Sequence, residues 1–160
     1  MRKQVLKAVT LVMMTFCLSI GIQAEAAGPR DGEIVDGSLL TSDLETSDQF
    51  ENVQRGSFLA MGMSMLSNRG NGLIYMGGDT ICHRTSDKVK MYLYLERLAG
   101  DDWEPVTQKA KTENNAYFAG NEAFLTVEKG TYYRVRGTHT AIYQNDSESC
   151  YTLTNGLYIE

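Results

Sequence analysis

The sequence has few of the residues that usually carry out chemistry. Its 160 residues include two histidines, three cysteines, one tryptophan and two prolines. The spacings G-x-S-x-G, H-E-x-x-H and C-x-x-C, which belong to hydrolases, zinc proteases and redox or zinc sites, do not occur. The composition therefore predicts no cofactor, no metal ion and no catalytic residue.

Long hydrophobic runs are also lacking, apart from one at the start of the chain. Ala8 to Ile22 is uninterrupted by charge, follows Arg2, Lys3 and Lys7, and precedes the A-x-A site Ala24-Glu25-Ala26. A permanent membrane helix needs about 20 apolar residues. We therefore predict that residues 1–26 are a signal peptide cut after Ala26, with Ala24 as the second choice. The mature chain is then secreted, without stable membrane insertion.

Basic residues are scarce in the mature chain. Residues 1–26 hold three basic residues and one acidic residue, so their removal changes the net charge from −5 to −7. Nucleic acids and anionic lipid surfaces both require clustered Lys and Arg. Neither is expected as a partner, and the remaining length is enough for one domain only.

Residues 27–55 are rich in acid and thin in apolar side chains. Such a segment cannot bury enough surface to offset the entropy of ordering its backbone. We therefore predict a mostly disordered acidic leader, with a short helical turn at residues 42–50.

After Gly56 the apolar residues recur at every second position. Val89, Met91, Leu93 and Leu95 alternate with polar or tyrosine residues, which is typical of half-buried strands. Similar patterns predict about seven short strands, at residues 59–65, 74–82, 89–96, 103–111, 124–127, 132–143 and 151–159. Residues 56–160 are thus predicted to form an antiparallel β-sandwich, immunoglobulin-like or fibronectin-like.

Two sulfur-containing features need separate interpretation. Cys82 and Cys150 are the cysteines left after cleavage, and an oxidising exterior favours a disulfide between them. Strand alternation puts Cys82 inward but Cys150 opposite Leu153, unless the chain bends near Ser149. The run Met61-Gly-Met63-Ser-Met65 resembles Cu(I)-binding runs, but we interpret it as a core strand.

The segment GTYYRVRGTHTA, residues 130–141, predicts a strand with two different faces. Tyr133 shares the inward face with Val135, and its position after Gly130 resembles the tyrosine corner of β-sandwiches. Aromatic and Arg side chains are common in binding sites, so the outward face is a candidate surface for an extracellular protein or glycan. The alternative is that these pairs only stabilise the sheet. The candidate surface consists of Tyr92, Tyr94, Tyr132, Arg134 and Arg136.

His139 supports a hypothesis from another class, a small secreted hydrolase in which it acts with a nearby carboxylate. This requires a pocket and an acid within hydrogen-bonding distance. Strand alternation instead turns His139 inward, beside Val135, and His83 has no catalytic spacing. A third hypothesis is a structural or immunity-type protein that acts by occupying a partner.

Four segments carry a family resemblance: GGDTICHRTSDKVKMYLYLE, Trp103-x-x-Val106, KGTYYRVRGTHTA and TNGLYI. Together they are similar to an uncharacterised family of small secreted proteins from Gram-positive bacteria, over residues 56–160. The resemblance implies secretion and one β-rich domain of unknown function. A small residue is more usual at the position of Cys82, so the disulfide would be peculiar to this member.

Overall fold

The computed structural model describes residues 28–36 and 38–160 of the chain. This part of the chain contains strands and turns but no helix, so the all-β prediction is confirmed. The strands are β1 (Ile34–Val35), β2 (Ser38–Thr41), β3 (Glu45–Glu51), β4 (Leu59–Asn68), β5 (Leu73–Ala99), β6 (Asp102–Thr126), β7 (Thr131–Tyr143), β8 (Asp146–Leu153) and β9 (Gly156–Ile159).

All nine strands belong to one sheet. Its order is β1-β2-β9-β7-β5-β4-β3, with β6 beside β5 and β8 beside β7. The pairing is antiparallel except between β2 and β9, which run parallel. The predicted seven-stranded antiparallel sandwich is therefore corrected: the chain forms one curled, mixed sheet resembling half of a barrel, not the two separate sheets of an immunoglobulin-like sandwich.

A bend within β5 curls the sheet. The first part of β5 pairs with β4 as far as Cys82, and the second part pairs with β7 from Lys88 onward. Against β6 the register breaks between Ile81 and Ser86. The strands predicted at 74–82 and 89–96 are thus parts of one strand, with this bend between them.

Strand β6 follows the same bend. Asn115 has a φ of 49° and lies in the stretch of β6 that faces the bend. Asn tolerates this left-handed conformation better than most residues do. The separate strands predicted at 103–111 and 124–127 are therefore one 25-residue strand.

The main core lies where the inward faces of the two halves of β5 meet. Its buried members come from four strands and exclude water from the inside of the curl, which stabilises the fold by about 25 cal/mol for each Å² of apolar surface removed from water. They are Leu66, Ile74, Met76, Met91, Leu93, Leu95, Tyr133, Val135, Leu157 and Ile159.

Tyr133 forms the predicted tyrosine corner. Its ring is buried in the core, and its hydroxyl donates a hydrogen bond to the carbonyl of Glu128 at 2.9 Å. The hydroxyl therefore fixes the turn that enters β7. The corner occurs here in a curled single sheet.

The described part of the acidic segment is ordered, which corrects the prediction of a disordered leader with a helical turn at 42–50. It contains β1, β2 and β3. Val35 and Leu40 are buried against Leu98 and Tyr132. Few buried apolar residues are needed to hold this segment, because three strands within it pair into the sheet.

Acidic and hydroxyl side chains of β3 also hold the segment in place. Asp48 Oδ2 accepts a hydrogen bond from the N–H of Leu153 at 2.8 Å, and Thr46 Oγ1 accepts one from the N–H of Asn155 at 3.1 Å. The same polar residues whose abundance suggested disorder thus accept hydrogen bonds from backbone N–H groups on the other side of the curled sheet.

Candidate functional site

The five residues of the predicted binding surface lie on the neighbouring strands β5 and β7. Tyr94 is paired with Arg136, and Glu96 with Arg134. Because side chains alternate along each strand, the five project to the outer face of the sheet. The structure therefore brings Tyr92, Tyr94, Tyr132, Arg134 and Arg136 onto one face, but it does not leave all of them accessible.

Tyr132 is covered by the N-terminal segment and is only 2% exposed. Its hydroxyl donates a hydrogen bond to Asp31 Oδ1 at 2.6 Å and accepts one from the N–H of Arg30 at 3.0 Å. Burial and the Asp31 contact raise the pKa of Tyr132 to about 12. Tyr132 therefore anchors the segment, which corrects its assignment to an exposed surface.

Arg134 is also buried, with 5% of its surface exposed. Its guanidinium donates to Glu96 Oε2 at 2.7 Å and to Asp36 Oδ2 at 3.0 Å, and it stacks 4.3 Å above the ring of Trp103. These contacts tie β1 to β5 and β7. Arg134 is therefore a structural residue, and its assignment to an exposed surface is also corrected.

The accessible remainder of this surface is called the Tyr/Arg face and consists of Tyr92, Tyr94, Arg136 and Tyr151. Arg136 stacks 4.4 Å above the ring of Tyr94, and its Nε donates to Glu96 Oε1 at 2.9 Å. Tyr151 on β8 is 72% exposed, and its register partner is Thr138 on β7. The face is thus a sheet surface with three tyrosines around one positioned guanidinium.

Sequence reasoning missed Tyr151 because it assigned the inward face of β8 to Leu153. In the structure Cys150 and Thr152 face inward and are buried, whereas Leu153 is half-buried. The inward residues of β8 are not typical core residues, because Cys150 is paired with His139 and Thr152 contacts the His139 ring. A hydroxyl residue two positions after a cysteine is the local signal for this orientation.

His139 lies in a buried polar cluster between the layers of the curl. The residue is 0% exposed, as its predicted inward direction implies. Thr80 Oγ1 lies 2.9 Å from Nδ1, and Thr152 Oγ1 lies 3.0 Å from Nε2. Ser64 extends the cluster through a 2.6 Å contact between its hydroxyl and that of Thr152.

The hydrogen bonds assign the proton of His139 to Nδ1. The Thr80 hydroxyl donates to the carbonyl of Lys90 at 3.3 Å, so it accepts from Nδ1–H of His139. Nε2 then accepts from the Thr152 hydroxyl. Burial lowers the pKa of His139 to about 4, which keeps the ring neutral.

The condition set by the hydrolase hypothesis is not met at His139. Both ring nitrogens contact hydroxyl groups of Thr80 and Thr152 instead of a carboxylate, and the side chain is closed to solvent. His83 is exposed, and its Nε2 lies 2.8 Å from the carbonyl oxygen of Asn52. Within the described residues, neither histidine forms a hydrogen bond with a carboxylate.

Cys82 and Cys150 are free thiols in the structure, so the predicted disulfide is not confirmed. Both are buried in a second core cluster that also contains Phe58 and Val89. Burial raises the pKa of Cys150 to about 11 and also raises the pKa of Cys82. Both groups are therefore protonated at neutral pH, which makes them poor nucleophiles.

The methionine run does not form the core strand that its alternation suggested. A register shift between Leu59 and Met61 reverses the alternation, so Gly62, Ser64 and Leu66 face inward. Met61, Met63 and Met65 are half-exposed on the outer face of β4. Because of this one bulge, the three thioethers lie on the surface and not in the core where the sequence placed them.

This outer face contains a groove of about 370 Å³ that sequence reasoning did not find. Two glycines form its floor where β5 and β6 pair, because Gly77 lies opposite Glu122 and Asp79 lies opposite Gly120. Methionine and aromatic side chains form its walls. We call it the Gly/acid groove, and its main residues are Met63, Met65, Tyr75, Gly77, Asp79, Phe118, Gly120 and Glu122.

The two carboxylates of the groove differ in their contacts. Glu122 Oε2 accepts a hydrogen bond from the hydroxyl of Tyr75 at 3.0 Å. Within the described chain, no side chain forms a hydrogen bond or ion pair with the carboxylate of Asp79. Partial burial and the negative charge of Glu122 raise the pKa of Asp79.

A short sequence pattern marks this groove in retrospect. Gly77-Gly-Asp79 and Gly120-Asn-Glu122 each place an acid two residues after a glycine. When two such strands pair antiparallel with each glycine opposite an acid, two gaps and two carboxylates alternate on one surface. The pattern is recognisable only after the pairing of β5 and β6 is known.

Residues 28–36 and 38–160 contain no helix long and apolar enough to cross a membrane. In the same part of the chain, no three His, Cys, Asp or Glu side chains are grouped so that they hold a metal ion.

Comparison with known proteins gives a family but no function. A search of curated proteins found no match. The family described as "Family of unknown function (DUF6147)" matches residues 27–157, which include the acidic segment as well as the strands after Gly56. The match covers most of the chain and agrees with the pairing of the acidic segment into the sheet. The chain therefore belongs to DUF6147, a family of unknown function.

Proposed function

We propose that the chain is a secreted, non-enzymatic protein that binds an extracellular protein or glycan through its Tyr/Arg face. The observation that carries this proposal is the position of Arg136. Its guanidinium is fixed from one side and open on the other. Tyr and Arg are the residue types most enriched among residues that dominate binding energy.

The contacts of Arg136 explain why it suits a binding role. Nε is held by Glu96 and the guanidinium plane by the ring of Tyr94. In the described chain, no acceptor is bound to the two terminal nitrogens of Arg136. Because the side chain is already ordered, it loses little entropy when these nitrogens bind a carboxylate or a sugar hydroxyl.

The neighbouring tyrosines supply apolar area beside the guanidinium. Tyr151 is largely exposed, and Tyr92 and Tyr94 are half-buried along the adjacent strand. Tyrosine rings combine a large apolar surface with a polar hydroxyl, which suits both protein side chains and sugar rings. The face therefore fits a ligand that combines a flat apolar surface with acceptor groups.

The binding proposal is tested by probing the chain on glycan and peptide arrays and measuring affinity for the ligand found. Arg136→Lys keeps the charge but removes the planar donor pair, so we expect binding to weaken about tenfold or more. Arg84→Lys is the matched control, because Arg84 also stacks on a tyrosine, 5.5 Å above Tyr143, elsewhere on the surface. Equal affinity of the two variants would refute the role of the Tyr/Arg face.

Secretion is the second part of the proposal. The predicted signal peptide, residues 1–26, lies outside the described residues. Its support is the basic start, the apolar run and the A-x-A site, together with the resemblance to small secreted proteins of Gram-positive bacteria. Expression in a bacterial host should release a protein whose first residue is Ala27 on amino-terminal sequencing. Retention in the cells with Met1 in place would overturn this part.

A further inference from the structure

We propose that the Gly/acid groove and the outer edge of β6 bind an extended basic peptide whose lysine side chain crosses Gly120 to place its ammonium group at Asp79. This site lies on the first half of β5, separate from the Tyr/Arg face on the second half. It is therefore independent of the function proposed above.

The edge of β6 offers backbone hydrogen bonds to such a peptide. Among the described strands, β6 pairs with β5 alone, so no other strand covers its outer edge. The side chain of Asn121 contacts the backbone of β6, because its Nδ2 donates a hydrogen bond to the carbonyl of Ala110 at 3.2 Å. Extended segments commonly bind by adding a strand to an open edge. The N–H of Glu122 is occupied by Asn121 Oδ1 at 2.9 Å, and an added strand displaces this short side-chain contact.

Gly120 provides the path from this edge to Asp79. Strands lie about 4.8 Å apart, so a residue added opposite Gly120 has its Cα about 10 Å from that of Asp79. A Cβ at Gly120 would lie 2.5 Å from Asp79 Oδ1 and 2.6 Å from Phe118 Cζ. The carboxylate of Asp79 and the end of the Phe118 ring thus lie over Gly120, on β6 itself, where the flexible four-carbon stem of a lysine bound at the edge reaches the carboxylate.

The charges of the groove select a cation. Asp79 has no partner among the described residues, and Glu122 adds a second negative charge on the diagonal of the same pairing. Two carboxylates are too few to enclose a calcium ion, which takes six to eight oxygen ligands. Phe118 and the methionine thioethers instead suit an apolar stem that carries an ammonium group. The ligand is therefore an organic cation, and the open edge identifies it as a peptide lysine.

The register of β6 specifies the rest of the ligand. Side chains two positions before and after this lysine lie beside Phe118 and Glu122, because alternate residues share a face. An apolar residue suits the first neighbour and a second basic residue suits the other. The probe peptide acetyl-Val-Thr-Lys-Thr-Lys-Thr-Val-amide has this alternation.

The test is a titration of the ¹⁵N-labelled chain with this peptide, followed by NMR. We expect saturable shifts of amides at 118–124 and 75–81. A peptide in which norleucine replaces both lysines keeps the apolar stems but lacks the ammonium groups. It should bind at least about tenfold more weakly, because it lacks the ammonium groups that contact Asp79 and Glu122. Equal affinity of the two peptides would overturn the proposal.

Variants locate the contact. Asp79→Asn should weaken lysine-peptide binding about tenfold, the loss of one charge-assisted hydrogen bond in a partly buried site. Gly120→Ala should weaken it too, because the added methyl group displaces the Asp79 carboxylate and the end of the Phe118 ring, which lie over this position. Asp102→Asn, an exposed acid at the start of β6, is the control and should leave binding unchanged.

Two other occupants give different results. If two copies of the chain pair through β6, the same amides shift with protein concentration alone, and sedimentation equilibrium shows a dimer. If the groove binds glycans, chitotriose shifts these amides and the lysine peptide does not. Either result would replace the basic peptide as the ligand, and unchanged binding by Asp79→Asn would do the same.

Discussion

Asp79 and Glu96 lie on the outer surface of the same long strand, but their surroundings are opposite. Glu96 is 6% exposed and forms ion pairs with Arg134 at 2.7 Å and Arg136 at 2.9 Å. Asp79 is half-buried beside Glu122, and within the described chain it has no positively charged partner. The comparison separates a carboxylate that holds the fold together from one whose charge the fold leaves unbalanced.

The surroundings of the two acids follow from where the strand bends. After the bend, β5 is flanked by β7, which supplies both arginines. Before the bend it is flanked by β4, which contributes methionines and no charge. A ligand that brings a positive charge to Asp79 would balance the charge of this carboxylate, as the arginines of β7 balance that of Glu96.

The largest expected effect is that of Glu96→Gln on stability. This change leaves Arg134 buried without its closest charged partner, so the free energy of unfolding should fall by about 3 kcal/mol. Urea unfolding monitored by circular dichroism measures it. Glu104→Gln removes an exposed ion pair with Arg97 and should lower the free energy of unfolding far less. If the two variants lose the same amount, Glu96 has no special structural role.

Acid should destabilise the fold through His139, a second side chain whose hydrogen bonds are all formed inside the protein. Its pKa is about 4 in the folded chain, against 6.5 ordinarily. Between these values the unfolded chain binds a proton that the folded chain excludes, so stability falls as the pH is lowered through this window. The loss should approach about 3 kcal/mol near pH 4, and the contribution is complete above about pH 6.5.

The measurement is urea unfolding as a function of pH, compared between two histidine variants. His139→Gln should lose this part of the pH dependence, because glutamine does not titrate. His83→Gln should keep it, because His83 is exposed. A pH dependence that survives in His139→Gln and disappears in His83→Gln would show that the wrong group has been assigned.

Tyr132→Phe should weaken the attachment of the acidic segment. The change removes the hydrogen bonds to Asp31 and from Arg30, and we expect a loss of about 1 kcal/mol. Amide hydrogen exchange should accelerate at residues 30–41. In the matched variant Tyr133→Phe, which loses its bond to Glu128, this segment should keep its protection. Equal exchange in wild type and Tyr132→Phe would contradict the anchoring role.

The smallest expected effect on stability is that of Asp79→Asn. Since no described partner depends on this carboxylate and its pKa is raised in the fold, the free energy of unfolding should change by less than about 0.5 kcal/mol. Any change should be toward higher stability, because repulsion from Glu122 is removed. Urea unfolding checks it, and a loss comparable to that of Glu96→Gln would erase the contrast between the two acids.

Local patterns predicted those features that depend on local geometry. The alternation from Val89 to Leu95 gave the inward face of β5 correctly, and the tyrosine corner at Tyr133 and the inward direction of His139 are also confirmed. Each of these follows from strand periodicity within a few residues. No distant contact is needed to infer them.

The remaining features depend on contacts that periodicity does not contain. One bulge after Leu59 reversed the alternation of the methionine run. Tyr132 and Arg134 do project outward, but a segment about 100 residues away in sequence covers them. The Gly/acid groove likewise exists only because two distant G-x-acid triplets pair in one register. Such features follow from tertiary pairing, which sequence spacing alone does not specify.

The most direct test of the contrast between the two halves of β5 is a ¹³C NMR titration of the Asp79 carboxyl group, with and without the lysine peptide. In the free chain the pKa of Asp79 should lie above its ordinary value of 3.8. Saturation with the peptide should lower it, because an ammonium group stabilises the charged form. A free-chain pKa at or below the ordinary value, unchanged by the peptide, would contradict the claim that this carboxylate is unbalanced and open to a cation.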